Sequence, residues 1–513
     1  MSTTYTKTVA IGLLCLGFLM GGCSSFEEIN RPIGSVSSEE LKTDNLSGQN
    51  ALKVMFNISF PQQENDFQMT YDLIGNIYGR YFAETKDAWN NAKTSTYNAP
   101  GGWINYPYSN IWPRLSRVMQ DVIDEAGEES PVYYWALILR AHALLNLTDT
   151  YGPFPFGGTE SGAFAPQSEV YKAILKDLDA ATEYFSKALV ADPSFTLFPQ
   201  ADVIYGGEIR RWVLFANSLK LRMAIRMSLV EPDLARTIGE KAILDGVIEA
   251  NRDNLTYQYK PAGIYKTSVE WGDAVMSAEM DSYLSGYHDP RAEKYFAPAK
   301  TPADRTRVGL QAGAFIGVKA KALELYSQAI WPEDKPSIWM TAAEVAFLRA
   351  EGDLRGWNVG GSAQEWYEKG VRLSFQQWGA DQADLYLANH SDKPMPYINV
   401  PDGYGRNSAP LSNLTVAWDD AAPFEQKLER LMIQKWIALY PLGSEAWADI
   451  RRTGYPNIYP PVQATPGYAN LKTANRIPYP TSEATKDPKN FSLMESQLGG
   501  KNDYATKMWW QKK

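Results

Sequence analysis

The chain alternates helical periods with long stretches that have none. Residues 131–152, "PVYYWALILRAHALLNLTDTYG", repeat large or apolar side chains every three or four positions, with Tyr133, Leu137, Ala141, Leu144 and Thr148 on one stripe. "SEVYKAILKDLDAATEYFSKAL" does the same with Tyr171, Ile174, Leu178, Ala181, Phe185 and Ala188. Such spacings trace one face of an α-helix, so each stretch predicts a helix with one buried side. Ser168 is placed to cap the second. Similar periods run through "IRRWVLFANSLKLRMAIRMS", "PDLARTIGEKAILDG", "SIWMTAAEVAFLRAEGDLRGW", "SAQEWYEKGVRLSFQQWG" and "PFEQKLERLMIQKWIALYPLGSEAWADIRRTG".

These helices fall into pairs joined by short turns. Trp212, Phe215 and Ala216 show the large–small alternation of a tetratricopeptide pair, although no clean 34-residue period is present. The pattern predicts an all-α superhelix of degenerate helix pairs. Between the pairs lie irregular segments at 97–113, 152–167, 256–336 and 392–423, and from 455 onwards. Loops of that length inside a compact domain are usually functional.

The first residues follow a different logic. Lys7 precedes an apolar run at 9–20, too short to cross about 30 Å of hydrocarbon but suited to a signal peptide. Leu19-Met20-Gly21-Gly22-Cys23 resembles a bacterial lipobox, whose cysteine thiol takes the lipid; a plain secretory peptide is the alternative. Cys15 would leave with the signal, so Cys23 would remain as the sole cysteine and no disulfide could form. The expected organisation is a signal at 1–22, a lipidated Ser-rich tether at 23–43 and one domain at 44–513. The formal charge is −9, or −10 once Lys7 is removed, which disfavours nucleic acid as a partner.

Searches for catalytic chemistry find little. His142, His288 and His390 are the only histidines, without metal-ligand spacing, and His142 sits where packing is the expected role. Neither a phosphate-binding glycine loop, a nucleophile elbow nor a calcium loop appears, so no metal or cofactor is expected. Asp419-Asp420 and Glu128-Glu129 are acid pairs in name only, and the chain is not expected to be an enzyme.

Aromatic residues carry the stronger signal: 16 Trp, 30 Tyr and 19 Phe. One group, Trp89, Trp103, Tyr106, Tyr108 and Trp112, is interleaved with asparagines; Trp112 opens the next helix and is expected in the core. A second is Tyr257, Tyr259, Tyr265, Trp271, Tyr283, Tyr287 and Trp331. The C–H face of a pyranose can lie on an indole or phenol while amides meet its hydroxyls, and such platforms with a few placed polar groups make binding sites.

"LRAHALLNLTDTYGPFPF", "VIYGGEIRRWVLFANSLKLRMAIRMS", "QKWIALYPLGSEAWADIRRTGYP" and the terminal "RIPYPTSEATKDPKNF" resemble SusD/RagB-type outer-membrane lipoproteins in one chain order. The resemblance implies tetratricopeptide-like pairs supporting an irregular ligand-facing half. It implies a lid on a SusC-like TonB-dependent transporter, an oligosaccharide ligand and anchorage in outer-membrane lipid through Cys23. Glu27 and Glu28 resemble the acidic address of surface lipoproteins. It places ligand contacts in the loop aromatics before the "IWP" helix and between the middle pairs, so Trp89, Trp103, Asn105, Tyr106, Trp271 and Tyr287 are the expected ligand-binding residues. Arg222 and Arg226 are expected to pair with carboxylates of neighbouring helices. A peptide-binding, RagB-like lid and a glycoside hydrolase are the rival readings.

Overall fold

The computed structural model describes residues 46–86, 93–158, 162–301 and 305–512. Cys23, the expected signal and tether, and Trp89 lie outside them. Chain contacts separate Met1–Gln49 from Asn50–Lys513, and the second unit is the one described below.

The longer helices are α1 (Leu46–Ser59), α2 (Trp112–Ala126), α3 (Pro131–Tyr151), α4 (Gln167–Ala191), α5 (Ile209–Met227), α6 (Pro232–Asp245), α7 (Ala342–Leu354), α8 (Ala363–Trp378), α9 (Phe424–Leu439) and α10 (Gly443–Thr453). α2 packs on α3, α3 on α4, α4 on α5, α5 on α6 and α7, and α7 on α8 and α9. The result is an all-α, tetratricopeptide-like array of helix pairs carrying long irregular segments. No described helix is long and apolar enough to cross a membrane.

Local chemistry sets the boundaries. Ser130 caps α3 by accepting from Tyr133 N–H at 3.1 Å, and Gly152, at φ +104°, ends it. α3 is not the one-sided helix its stripe predicts: from Trp135 to Tyr151 only Arg140 and Asn146 are not buried, because neighbours cover it all round. α4 starts two residues early, after Pro166, so Ser168 lies inside its first turn rather than capping it. "SIWM" is not helical. Ser337–Met340 forms β4, antiparallel to β2 (Leu255–Tyr257), and Thr341 then caps α7. A reciprocal Ser362–Glu365 capping box opens α8. The last expected helix is two, α9 and α10, separated at Pro441, which has no N–H to continue the ladder. A second small sheet pairs β1 (Phe82–Glu84) with β3 (Ala274–Met276) and pins the irregular segments to the frame.

Aromatic rings fill the core where helices meet: Phe56, Trp135 and Trp212 lie 5.6–5.9 Å apart, centroid to centroid. Beside them runs a chain of buried ion pairs. Arg222 meets Glu344 at 2.7 and 2.8 Å, and Arg226 bonds Asp149 and Glu445, as expected of these arginines. Lys435 holds Asp449 at 2.6 Å, and Arg452 holds Glu351 at 2.5 and 2.7 Å. Burial pushes Glu351 up, but Arg452 and Arg355 outweigh it and hold the carboxyl at about 2.

Candidate ligand-binding face

The face is built around residues 63–76. Gln63 Oε1 accepts from Asn65 N–H (3.0 Å) and Asp66 N–H (2.9 Å), starting a single helical turn, Glu64–Phe67. The backbone then widens into a π-helix, Gln68–Asn76. Pro107–Ile111 and Tyr265–Glu270 are also π-helical. Such turns are rare and frequent at functional sites, because one extra residue per turn re-aims the side chains that follow. The first of them lies directly on α10: a Cβ on Gly443 would sit 2.4 Å from Asn76 N, and one on Gly75 2.5 Å from Ser444 Oγ.

Three consecutive residues join the two expected aromatic segments. The hydroxyl of Tyr106 donates to Asp66 Oδ1, and Arg114 donates to Asp66 Oδ2 at 2.7 Å. Phe67 covers the backbone of Gly263, where a Cβ would lie 2.4 Å from its ring. Gln68 Nε2 donates to Asp273 Oδ2 at 2.9 Å, and Lys319 meets the other oxygen at 2.5 Å. Burial, and then the bond to Asp66, pushes the Tyr106 phenol up to about 12.

Trp103 is half-buried on the short helix Gly101–Ile104, behind exposed Gly101 and Gly102. Asn105 closes that helix, and its Oδ1 is buried without a hydrogen-bond partner. Trp271 is half-buried at the end of the third π-helical segment, with Lys266 Nζ 5.7 Å from its ring; Gly272, at φ +64°, turns the chain away. Tyr259 and Tyr265 also keep part of their surface. Tyr287 does not belong to the face. It is 2% exposed, lies 6.3 Å from Tyr283 and donates its hydroxyl to Leu414 O at 3.0 Å, so no ligand can reach the ring. Tyr257, Tyr283 and Trp331 are core residues too. Trp112 packs on Phe154 at 5.2 Å.

Sequence reasoning passed over Asp66, Gln68 and Arg114, which position the segments. The signal for the first two was "QQENDFQ", a capping glutamine followed by acids in the first turn. It also passed over a groove of about 320 Å³ between Lys93, Asn98, Phe315 and Thr465, where Phe315 is 59% exposed. A separate cavity beside His142, Trp339 and Glu445 measures about 40 Å³. That is room for water but far from the roughly 300 Å³ of a small-molecule pocket. Among the described residues no cluster of three or more metal-ligating His, Cys, Asp or Glu side chains forms.

A family model described as "SusD-like: Susd and RagB outer membrane lipoprotein" matches residues 28–511. The chain is similar to the structure of a chitin-binding SusD homologue from Flavobacterium johnsoniae, with 33% identity over 90% of this chain and 98% of that one and a TM-score of 0.84. It is similar to a SusD homologue from Bacteroides uniformis, at 35% identity over 91% and 99% with a TM-score of 0.83. A SusD-like protein from Bacteroides thetaiotaomicron gives 32% identity over 91% and 99% and a TM-score of 0.86. Comparison with curated protein sequences gave no match.

Proposed function

This chain belongs to the SusD-like family of outer-membrane lipoproteins, and from that premise we propose that it captures an oligosaccharide at the cell surface and hands it, unaltered, to a SusC-like TonB-dependent transporter. The observation that carries the reading is the placement of Trp103 and Trp271, two half-exposed indoles on segments tied together by residues 66–68. An indole offers a flat apolar plane for the C–H face of a sugar. The chitin-binding relative supports a glycan as ligand. Three carboxylates of the face are already committed: Asp66 to Tyr106 and Arg114, Asp273 to Gln68 and Lys319, Glu270 to Lys266. That favours binding without hydrolysis, which needs a carboxyl acid and a carboxylate opposed across the bond. The transporter partnership and the outward orientation are supported by family membership, and the lipid anchor by the Cys23 motif.

Calorimetry with a glycan panel and a peptide mixture tests the reading. Binding of at least one oligosaccharide is expected, weakened roughly tenfold by Trp103→Ala and again by Trp271→Ala, with melting temperature unchanged. Peptide-only binding, or steady release of reducing sugar, would overturn it.

A further inference from the structure

The charges of the face carry information about the ligand. Residues 63–108 and 256–273 contain five basic residues, Arg80, Lys86, Lys93, Lys260 and Lys266, against seven acids. The bases are engaged. Arg80 is fully buried and donates to Lys472 O at 2.5 Å, and Lys93 Nζ donates to Ala314 O at 2.5 Å. Lys260 lies 3.5 Å from Glu333, and Lys266 2.6 Å from Glu270. Lys86 has an interaction of its own.

Two cations from outside these segments are held in the same way, Arg114 by Asp66 at 2.7 Å and Lys319 by Asp273 at 2.5 Å, which brings the bases to seven against the seven acids. Internal stretches outside the described residues add no base: 87–92, 159–161 and 302–304 contain only Asp87, Glu160 and Asp304 as charges.

A uronate or sulfate ester would arrive with its own negative charge at a surface whose cations are already engaged by the protein. It would lose hydration there without gaining a charge-assisted bond. A neutral sugar meets the opposite situation. Its hydroxyl and amide N–H groups are donors, and an acceptor is available at the second oxygen of exposed Glu270. We infer that the glycan taken by this face is an uncharged one, its rings stacked on Trp103 and Trp271 and a donor turned to Glu270. The inference rests on the glycan-binding reading above.

The test is calorimetry of the full mature chain against two sets of hexasaccharides: cello-, xylo-, manno- and chitohexaose, and galacturonate, hyaluronan and chondroitin sulfate oligomers. The expected result is binding confined to the first set, with Kd changing less than about twofold between 50 and 500 mM NaCl, since no ion pair is screened. Glu270→Gln removes the partner of Lys266 beside Trp271. That variant should gain roughly threefold to fivefold in affinity for the acidic set. Tighter binding of an acidic oligomer by the wild type, or about tenfold weakening by salt, overturns this inference while leaving glycan capture intact. Failure of both sets to bind overturns glycan capture, and this inference with it.

Discussion

Desolvation holds the His142 imidazole neutral, its Nδ1 3.0 Å from the carbonyl of Ser59 and its pKa brought down to about 3. The unfolded chain takes up that proton near 6.5 and the folded one does not. The stability tied to His142 is therefore complete above pH 6.5 and falls as pH drops towards 3; between pH 7 and 5 the loss is about 2 kcal/mol. Asp72 works in the opposite sense, because burial raises its carboxyl to about 6 and acid relieves that cost. The comparison must therefore be made between variants. Urea unfolding at pH 7 and 5 is expected to cost His142→Asn about 2 kcal/mol less than wild type on acidification. An equal loss in both would contradict the assignment. Arg222 gives a second measurement at this scale. With Arg222→Met, Glu344 is left buried without its bidentate partner, a change costing roughly 3–5 kcal/mol and readable as a lower melting temperature.

Among elements, the contact between the first π-helical segment and α10 is the most constrained, because backbone faces backbone. Gly443→Ala would place a methyl against Asn76 N and Gly75 C, each 2.4 Å away, and is expected to cost about 1–3 kcal/mol or more. Since this segment continues from residues 66–68, the same variant is expected to weaken ligand binding at temperatures where it remains folded. Retained affinity in a destabilised protein would separate the element from the face.

The long helices were legible in the sequence because thirteen or more residues at period 3.6 leave little ambiguity, and Arg222 and Arg226 announced their partners by being charged within buried stripes. The π-helical turns were not, since a period near 4.4 cannot be told from 3.6 over five to nine residues. "SIWM" joined a helical period by accident of four apolar positions, and only pairing with β2 reveals a strand. Tyr287 was misplaced although the signal was present: Met280, Tyr283, Leu284 and Tyr287 follow spacings of three and four, the mark of a buried stripe, whereas Trp271 stands outside any such series.

For the whole molecule, anchorage decides where binding is useful. Cys23→Ser is expected to abolish incorporation of labelled palmitate and to move the protein from the membrane to the soluble fraction, with glycan affinity of the purified chain unchanged; a membrane-bound variant would point to another anchor. The link at residues 66–68 has a further consequence at this scale. Asp66, Phe67 and Gln68 each grip a different part of the two aromatic segments, yet they are neighbours on one short piece of backbone that leads into the π-helical segment packed on α10. The gap between the two indoles is thereby fixed much as the jaws of a gauge are fixed by its spine. A glycan would then be selected by its repeat length and helical pitch, and one whose repeat does not match the gap could engage only one jaw at a time.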